Sequence, residues 1–358
     1  MSYPFKHLLV NINLQRRRNG HLVGWNLSDV HYLLPLQHFK GYEQKNCLFC
    51  GSPNVKKNGH RRGFQMYFCH DCGKQFQAGL RINGVELWHS YLTDKRTVLD
   101  LSSQYKCSER TIRRRLKLIA DSFVPSWPKT AVVIVDTTYF SRLFGVMLFQ
   151  DSSTGRILHR KFVRNETNAE YLDGLSQIQS GGTSIEAVVC DGHMGLLQAI
   201  GPCPVQMCQF HQFQIIRRLL TNNPHLPAGK ELLSLARRIF FLDKESFTEA
   251  FNAWCEDWKG FLDERTALVS GRTVYTHRRL RTARRSIRTH LKWLFAFEEH
   301  QKINIPRTTN MLEGFNSQLK RALNNHNGLN ESNKKKFIDG FINTKNRLDW
   351  ASLPNVHY

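Results

Sequence analysis

Residues 131–163 read AVVIVDTTYFSRLFGVMLFQDSSTGRILHRKFV, and the expected fold class follows from this part of the sequence. Residues 131–135 are a continuous apolar run, which is typical of a buried central strand, and Asp136 comes at its carboxyl end. Residues 144–150 and 156–163 predict a hairpin around a polar turn. The stretch therefore predicts the first strands of a sheet, with an acid where one of them ends.

The next segment predicts a crossover. Thr167 and Glu170 form a capping-box pattern that opens a helix. Residues 185–190 are another apolar strand, and this one finishes at Asp191. Either acid alone also fits a turn or a helix cap. Two carboxylates at neighbouring strand ends, however, repel each other unless a cation holds them, and hard oxygen ligands favour Mg²⁺ or Mn²⁺.

A third acid, Glu313, comes from a helix predicted within residues 306–320. It has an alternative interpretation, because Asn310 as N-cap with Glu313 three residues later is also a capping-box arrangement. The local sequence leaves both interpretations open.

Two cysteine knuckles, CLFC at 47–50 and CHDC at 69–72, precede these elements. Zn²⁺ takes four thiolates tetrahedrally, and four thiolates leave no open position, so the spacing predicts a structural zinc ribbon. A glycine after each knuckle predicts a turn with positive φ. His60 and His70 are weaker candidates for a ligand position. The expected zinc ligands are Cys47, Cys50, Cys69 and Cys72. Between the knuckles we expect a hairpin with a basic tip at Arg61 and Arg62.

Residues 84–120 show helical periodicity in three pieces, with Ser108 as the N-cap of the third. Two helices joined by a short turn, the second one basic, predict a helix-turn-helix that binds DNA. A basic helical linker is the alternative. The residues expected to face outward on the third helix are Arg110, Arg113, Arg114, Arg115 and Lys117.

The chain of 358 residues has a net charge of +22, which indicates a polyanionic partner. Residues 272–292 form a second basic block without an acid, interpreted as a phosphate-binding face or, alternatively, a solvated helix face. The DNA contacts expected there are Arg278, Arg281 and Arg285. No apolar run approaches the roughly 18 residues of a membrane span, and the scattered cysteines fit a reducing compartment, so we expect a cytoplasmic protein without a membrane partner.

Four motifs carry a resemblance to a known family. They are VDTT at 135–138, VCDGH at 189–193, QMCQFH at 206–211 and TTNMLEGFN at 308–316. In this order, behind the cysteine knuckles, they resemble the DDE transposases of bacterial insertion sequences. Within those, the chain is similar to the Mutator-like group, in the variant with an N-terminal zinc-binding module, over about residues 41–350.

The resemblance implies an α/β multi-domain chain. A ribonuclease-H-like core, interrupted by an all-helical insertion, would follow a zinc ribbon and a helix-turn-helix. The expected segments are an unassigned basic extension at 1–40, the ribbon at 41–78, the helix-turn-helix at 79–126, the first part of the core at 127–220, the insertion at 221–305 and the C-terminal helical part of the core at 306–358.

The resemblance also implies a chemistry. Asp136, Asp191 and Glu313 would hold two Mg²⁺ or Mn²⁺ ions for cleavage and strand transfer at the ends of an insertion sequence. Cys208 and His211 match the group's C-x-x-H element and, with Asn310, would contact DNA near the scissile phosphate. A buried cysteine and a partnered core histidine are the alternative for that pair.

The implied partners are double-stranded DNA, as terminal repeats and as target, and a second copy of the chain in a homodimer or higher oligomer. Two other functions remain open: a catalytically silent zinc-ribbon DNA-binding regulator, and a metal-dependent nuclease or resolvase without strand transfer. In the insertion, Trp254 and Trp258 suit base stacking. Their spacing with neighbouring phenylalanines is that of an apolar helix stripe, however, and therefore favours core packing.

Overall fold

The structure is a computed structural model that describes residues 46–47, 50–61, 64–77, 82–140, 144–201 and 203–347. The chain divides into two compact units, residues 1–81 and 82–358. The expected extension at 1–40 and Arg62 lie outside the described residues. Within the described ranges, every helix is too short or too polar to cross a membrane.

The first unit contains a small antiparallel sheet, in which the expected hairpin is present. Its strands are β1 (Val55–Arg61), β2 (Phe64–Cys69) and β3 (Gln75–Gln77), in the order β1-β2-β3. The buried core of this sheet consists of Cys47, Cys69 and Phe76. A core this small does not stabilise a fold by apolar burial alone, so the unit requires a further source of stability.

Three helices open the second unit, as the periodicity predicted. They are α1 (Gly84–Thr93), α2 (Val98–Gln104) and α3 (Glu109–Leu118). Each begins after a polar N-cap, and the hydroxyl of Ser108 accepts a hydrogen bond from the Thr111 amide at the start of α3. The turn between α2 and α3 is short, as in a helix-turn-helix.

These helices share a core with the C-terminal part of the chain. The ring of Tyr91 lies 3.9 Å from that of His326 and 5.8 Å from that of Phe337. The Trp88 indole donates a hydrogen bond of 2.5 Å to Asp121. Residues 82–126 of the segment expected as a separate domain at 79–126 are therefore part of one packed unit, because the apolar side of α1 is buried against residues near the end of the chain.

The second unit is built around a five-stranded sheet with the order β6-β5-β4-β7-β8. Its strands are β4 (Thr130–Phe140), β5 (Phe144–Asp151), β6 (Ile157–Val163), β7 (Ser184–Cys190) and β8 (Val205–Met207). The pairs β4/β5 and β5/β6 are antiparallel, whereas β4/β7 and β7/β8 are parallel. β4 is longer than the predicted 131–135 because its antiparallel pairing with β5 extends to Phe140, beyond its parallel pairing with β7, which ends at Ile134.

Helices connect the parallel strands and follow the last one. They are α4 (Asn168–Ser180), α5 (Met194–Ala199) and α6 (Gln209–Leu220). Half of the predicted capping box of α4 is present, because the Thr167 hydroxyl accepts a hydrogen bond from the Glu170 amide. The Glu170 side chain pairs with Lys161 instead of with the cap.

The segment from 221 to 305 contains a β-hairpin among its helices. Its elements are α7 (Pro227–Arg238), α8 (Lys244–Asp257), α9 (Lys259–Asp263), β9 (Arg265–Ala267), β10 (Thr273–Tyr275), α10 (Arg278–Leu294) and α11 (Ala296–Glu299). The all-helical prediction is therefore wrong for this segment. Thr266, Thr273 and Val274 are β-branched and pair across the hairpin, and Gly271 takes φ +76 in the turn between the strands.

Trp254 belongs to the core of this segment. It is 5% exposed, packs with the buried Phe247 and Phe251, and donates a hydrogen bond of 3.2 Å to the Ala228 carbonyl. Trp258 is partly buried and donates to Glu231 at 2.7 Å. The core-packing interpretation of the aromatic stripe is confirmed.

Two final helices, α12 (Asn310–Asn324) and α13 (Glu331–Arg347), complete the unit. Side chains of β4 alternate between two hydrophobic layers. Val133 and Val135 face the layer that contains α4, whereas Val132 and Ile134 face the layer that contains α12 and α13. The sheet thus lies between helical layers, which hold α12 beside the carboxyl end of β4.

Candidate active site

Two of the expected acids lie at one edge of the central sheet. Asp136 follows the last β4 residues that pair with β7, and Asp191 directly follows β7. Because β4 and β7 are parallel, their carboxyl ends meet at the same edge. Cys208 follows β8 at this edge as well, and its amide donates to the Cys190 carbonyl at 2.8 Å.

The third acid, Glu313, reaches this edge from α12. The helix begins at Asn310 after Thr309, and it has no side-chain cap. The expectation of Asn310 as N-cap with a capping box is therefore wrong. Glu313 instead accepts a hydrogen bond of 3.2 Å from the Thr309 hydroxyl, and one of its oxygens lies 3.6 Å from Nε2 of His211. Its carboxylate thus faces the sheet edge instead of capping the helix.

Cys208 and His211 lie in the same cluster as Glu313. The Cys208 sulfur accepts hydrogen bonds from the amide and the hydroxyl of Thr309, at 3.3 and 3.4 Å. Among the described residues, Cys208, His211 and Glu313 form one of two groups whose potential ligand atoms all lie within 4.8 Å of one another. Asp136 and Asp191 are not in that group, so the three acids are neighbours without being in mutual contact.

The charges of these groups act on one another. Burial raises the pKa of the Asp136 carboxyl to about 6, and the carboxylates of Asp191 and Glu313 add to the effect, while His211 opposes it. The hydrogen bond with Cys208 raises the pKa of His211 to about 9. Burial disfavours the thiolate of Cys208, but the hydrogen bond and charge of His211 outweigh it and lower the thiol pKa. An imidazolium therefore lies among acidic groups.

Asn316 is a member of the site that sequence reasoning missed. Its side-chain amide donates a hydrogen bond of 2.8 Å to Asp136, and its own carbonyl oxygen is buried without a hydrogen-bond partner in the described residues. The sequence feature that could have identified Asn316 is its position three residues after Glu313, on the same face of a helix. Tyr171, which shares a hydrogen bond of 2.8 Å with Thr137 next to Asp136, had no such signal.

An open cleft of about 790 Å³ extends from this edge of the sheet. Asp191, Gly192 and His193 line one end, and His211 lines the wall formed by α6. The cleft gives the acidic edge access to a large substrate.

The family model described as "Transposase, Mutator family" matches residues 151–333, which is about half of the chain. The chain belongs to the Mutator family of transposases. No curated protein matches the sequence significantly.

Three solved structures are similar to parts of this transposase. The Drosophila P element transposase strand transfer complex has 10% identity and a TM-score of 0.40, over 75% of this chain and 93% of that one. The HTLV-2 integrase catalytic core domain in complex with magnesium has 15% identity and a TM-score of 0.19, over 42% and 95%. A simian T-cell lymphotropic virus intasome chain has 11% identity and a TM-score of 0.19, over 56% and 68%. At these scores the likenesses carry no functional weight.

The transposase has a candidate zinc site in its first unit. The Sγ atoms of Cys47 and Cys72 lie 3.5 Å apart, those of Cys50 and Cys69 3.6 Å apart, and all four thiols form one compact group. The glycines after the knuckles have φ +75 and +66, as predicted. Four converging thiols fit a tetrahedral Zn²⁺ ion, and His60 and His70 are outside the group.

The basic residues expected to contact DNA differ in the exposure of their side chains. On α3, Arg110, Arg113 and Arg114 are exposed, whereas Arg115 is half-buried and departs from the expected outward position. Arg61 is exposed at the end of β1.

On α10, Arg278 and Arg285 are exposed. Arg281 differs, because its guanidinium pairs with Asp263 at 2.7 Å and lies 3.5 Å from the centre of the Tyr275 ring. These contacts make Arg281 a link between α10 and the hairpin of the transposase, rather than a free cation.

Proposed function

We propose that this transposase cuts DNA at the terminal repeats of its element and joins the released 3′-hydroxyl ends to target DNA. The observation that carries the proposal is the convergence of Asp136, Asp191 and Glu313 at one sheet edge around the imidazole of His211. The raised pKa of Asp136, about 6, supports a functional site, since perturbed acids cluster where chemistry is done.

The proposed core is ribonuclease-H-like. The sheet order β6-β5-β4-β7-β8, with three antiparallel strands followed by parallel ones, supports this fold. Segment 221–305 would then be an insertion between α6 and α12, carrying a hairpin as well as helices.

The proposed catalytic ions are Mg²⁺ or Mn²⁺, held by the three carboxylates. The residues fit such ions, because the donors are hard oxygens and a buried Asn316 oxygen lacks a hydrogen-bond partner among the described residues. Acids that hold different ions of a pair would not need to touch one another. When bound, the ions would supply Lewis-acid stabilisation of the attacking and leaving oxygens.

The residues of the chain have defined parts in this proposal. Asn316 orients Asp136, Thr309 orients Glu313, and the His211 cation attracts the phosphate of the DNA backbone. In cleavage, a water oxygen forms a bond to phosphorus and a 3′-hydroxyl leaves. In joining, that 3′-hydroxyl oxygen forms the new bond and a second 3′-hydroxyl leaves, so neither step consumes a cofactor.

DNA recognition is assigned to the zinc ribbon and the helix-turn-helix. Exposed arginines on α3 support phosphate contacts, and the cysteine group supports a structural zinc ion. Joining two ends to one target would require two copies of the chain, so we propose a homodimer or higher oligomer on DNA.

Two assays with Mg²⁺ test the function: cleavage of an uncut DNA end, and strand transfer from a pre-cut 3′-hydroxyl end. The wild type should give cut and joined products, whereas Asp191→Asn should bind the ends and give neither. Cuts without joined products would identify a nuclease. End binding without any chemistry in the wild type would identify a DNA-binding regulator.

A further inference from the structure

One side of helix α6 is buried, and the other side faces the open cleft. Gln209, Gln212, Ile216 and Leu220 are buried on one side. The other side lines the open cleft with residues three or four positions apart, which is the spacing of a single helix face. These cleft-lining residues are His211, Gln214, Arg217, Arg218 and Thr221. The cleft therefore has an acidic end at Asp191 and a basic end at the last turn of α6.

His211 and the basic end of the cleft are separated by a distance that suits a DNA strand. Arg217 and Arg218 lie six and seven residues after His211, which at 1.5 Å per residue is about 10 Å along the helix axis. A strand of B-form DNA advances about 3.4 Å per nucleotide along its axis, so about three nucleotides span this distance.

The two arginines are free to bind an anion. Within the described residues neither pairs with a carboxylate, and Arg217 lies over the ring of Phe213, at 5.9 Å. Elsewhere in the same unit, Arg160 and Arg281 are paired with Asp339 and Asp263. In the part of the chain that the structure describes, Asp191 is the one acid that lines the cleft.

The backbone at the basic end is also unusual. Thr221 ends α6 with φ +70, a left-handed conformation that strains a non-glycine residue. Thr221 and Asn222 both line the cleft beside the arginines. Such strain persists where surrounding structure maintains it, often at ligand sites.

We propose that this cleft holds the DNA strand that carries the scissile phosphate, and that Arg217 and Arg218 bind its phosphates within about three nucleotides of that position. The inference rests on the proposed function and extends it to a strand-binding site along α6. Two arginines at a helix C-terminus also stabilise the helix dipole, as Arg237 and Arg238 do at the end of α7. That second pair provides a matched control.

The experiment compares the full-length variants R217Q/R218Q and R237Q/R238Q with the wild type. Binding of a labelled DNA end is measured by anisotropy in Ca²⁺ over a range of KCl concentrations. We expect the first variant to bind at least about tenfold more weakly, because it lacks two charge-assisted contacts to phosphate. The slope of its log K against log[KCl] should be smaller by about 2, since each neutralised phosphate contributes roughly 0.9 to the slope. The control should keep the wild-type slope.

DNA with an uncharged methylphosphonate at single positions then locates the bound phosphates. Substitution within about three nucleotides of the cut should weaken the wild type and leave R217Q/R218Q unaffected, since that variant has no arginine to bind the replaced phosphate. Thermal melts and the single variants R217Q and R218Q exclude a folding defect. A double variant with the wild-type slope and methylphosphonate sensitivity overturns the proposed cleft site. The proposed function fails separately, when the wild type neither cuts nor joins DNA.

Discussion

The side chain of Asn316 donates a hydrogen bond of 2.8 Å to Asp136, and the two residues are 180 positions apart in the chain. This hydrogen bond joins α12 to β4 at the acidic edge of the sheet. It fixes one of the Asp136 oxygens at that edge.

Replacement of Asn316 with Ala should lower the cleavage rate about 10–100-fold, the usual cost of removing a residue that orients a metal ligand. The Mg²⁺ concentration needed for half-maximal cleavage should rise, because Asp136 is no longer held. A Mg²⁺ titration of cleavage measures both effects, with the exposed neighbour Ser317→Ala as control. An unchanged Mg²⁺ requirement in N316A would mean that Asn316 has only a packing role.

Local patterns predicted the helices, most of their caps and the acids at strand ends, because each depends on residues close in sequence. Ser108 and Thr167 are N-caps as expected. Asn316 could not be identified in this way, since its role depends on a partner brought near by the whole fold. The extension of β4 to Phe140 likewise depends on pairing with β5, and the apolar run alone contains no sign of it.

Replacement of Cys69 with Ser should release zinc and unfold the first unit. Its small apolar core cannot compensate for the absence of a metal ligand. Zinc content by elemental analysis should fall from about one ion per chain to near zero. Cys203→Ser, which changes a half-buried cysteine outside the group, should retain the metal. Stoichiometric zinc in C69S would exclude the four-cysteine site.

Asn343 joins the segment after α3 to α13. Its side chain accepts from the Val124 amide at 2.9 Å and donates to Asp121 and to the Ser122 carbonyl, both at 2.7 Å. N343A removes these three hydrogen bonds, and each such bond contributes a net of about 0.5–1.5 kcal/mol. We expect a decrease of roughly 2–4 kcal/mol in the free energy of unfolding, measured with urea. The exposed Asn333→Ala on the same helix should change it by less than about 0.5 kcal/mol.

His326 should make the stability of the second unit depend on pH. It is 7% exposed, its Nε2 atom donates to the Tyr91 carbonyl at 2.9 Å, and burial lowers its pKa from the usual 6.5. The folded state therefore favours the neutral ring. As the pH falls below about 6.5, the unfolded chain takes up a proton that the folded chain resists, so the free energy of unfolding decreases. Above this pH the contribution is constant.

The variant His326→Gln separates this effect from other titrating groups. It keeps a donor for the Tyr91 carbonyl but cannot titrate, so it should be less stable than the wild type at pH 8 and lose less stability between pH 7 and pH 5. His159 and His290, whose pKa values burial also lowers, are present in both proteins, and their contributions cancel in the comparison. Urea denaturation at each pH gives the two curves. If the free energies of unfolding of the two proteins ran parallel across this range, the pKa of His326 would be the same in the folded and unfolded states.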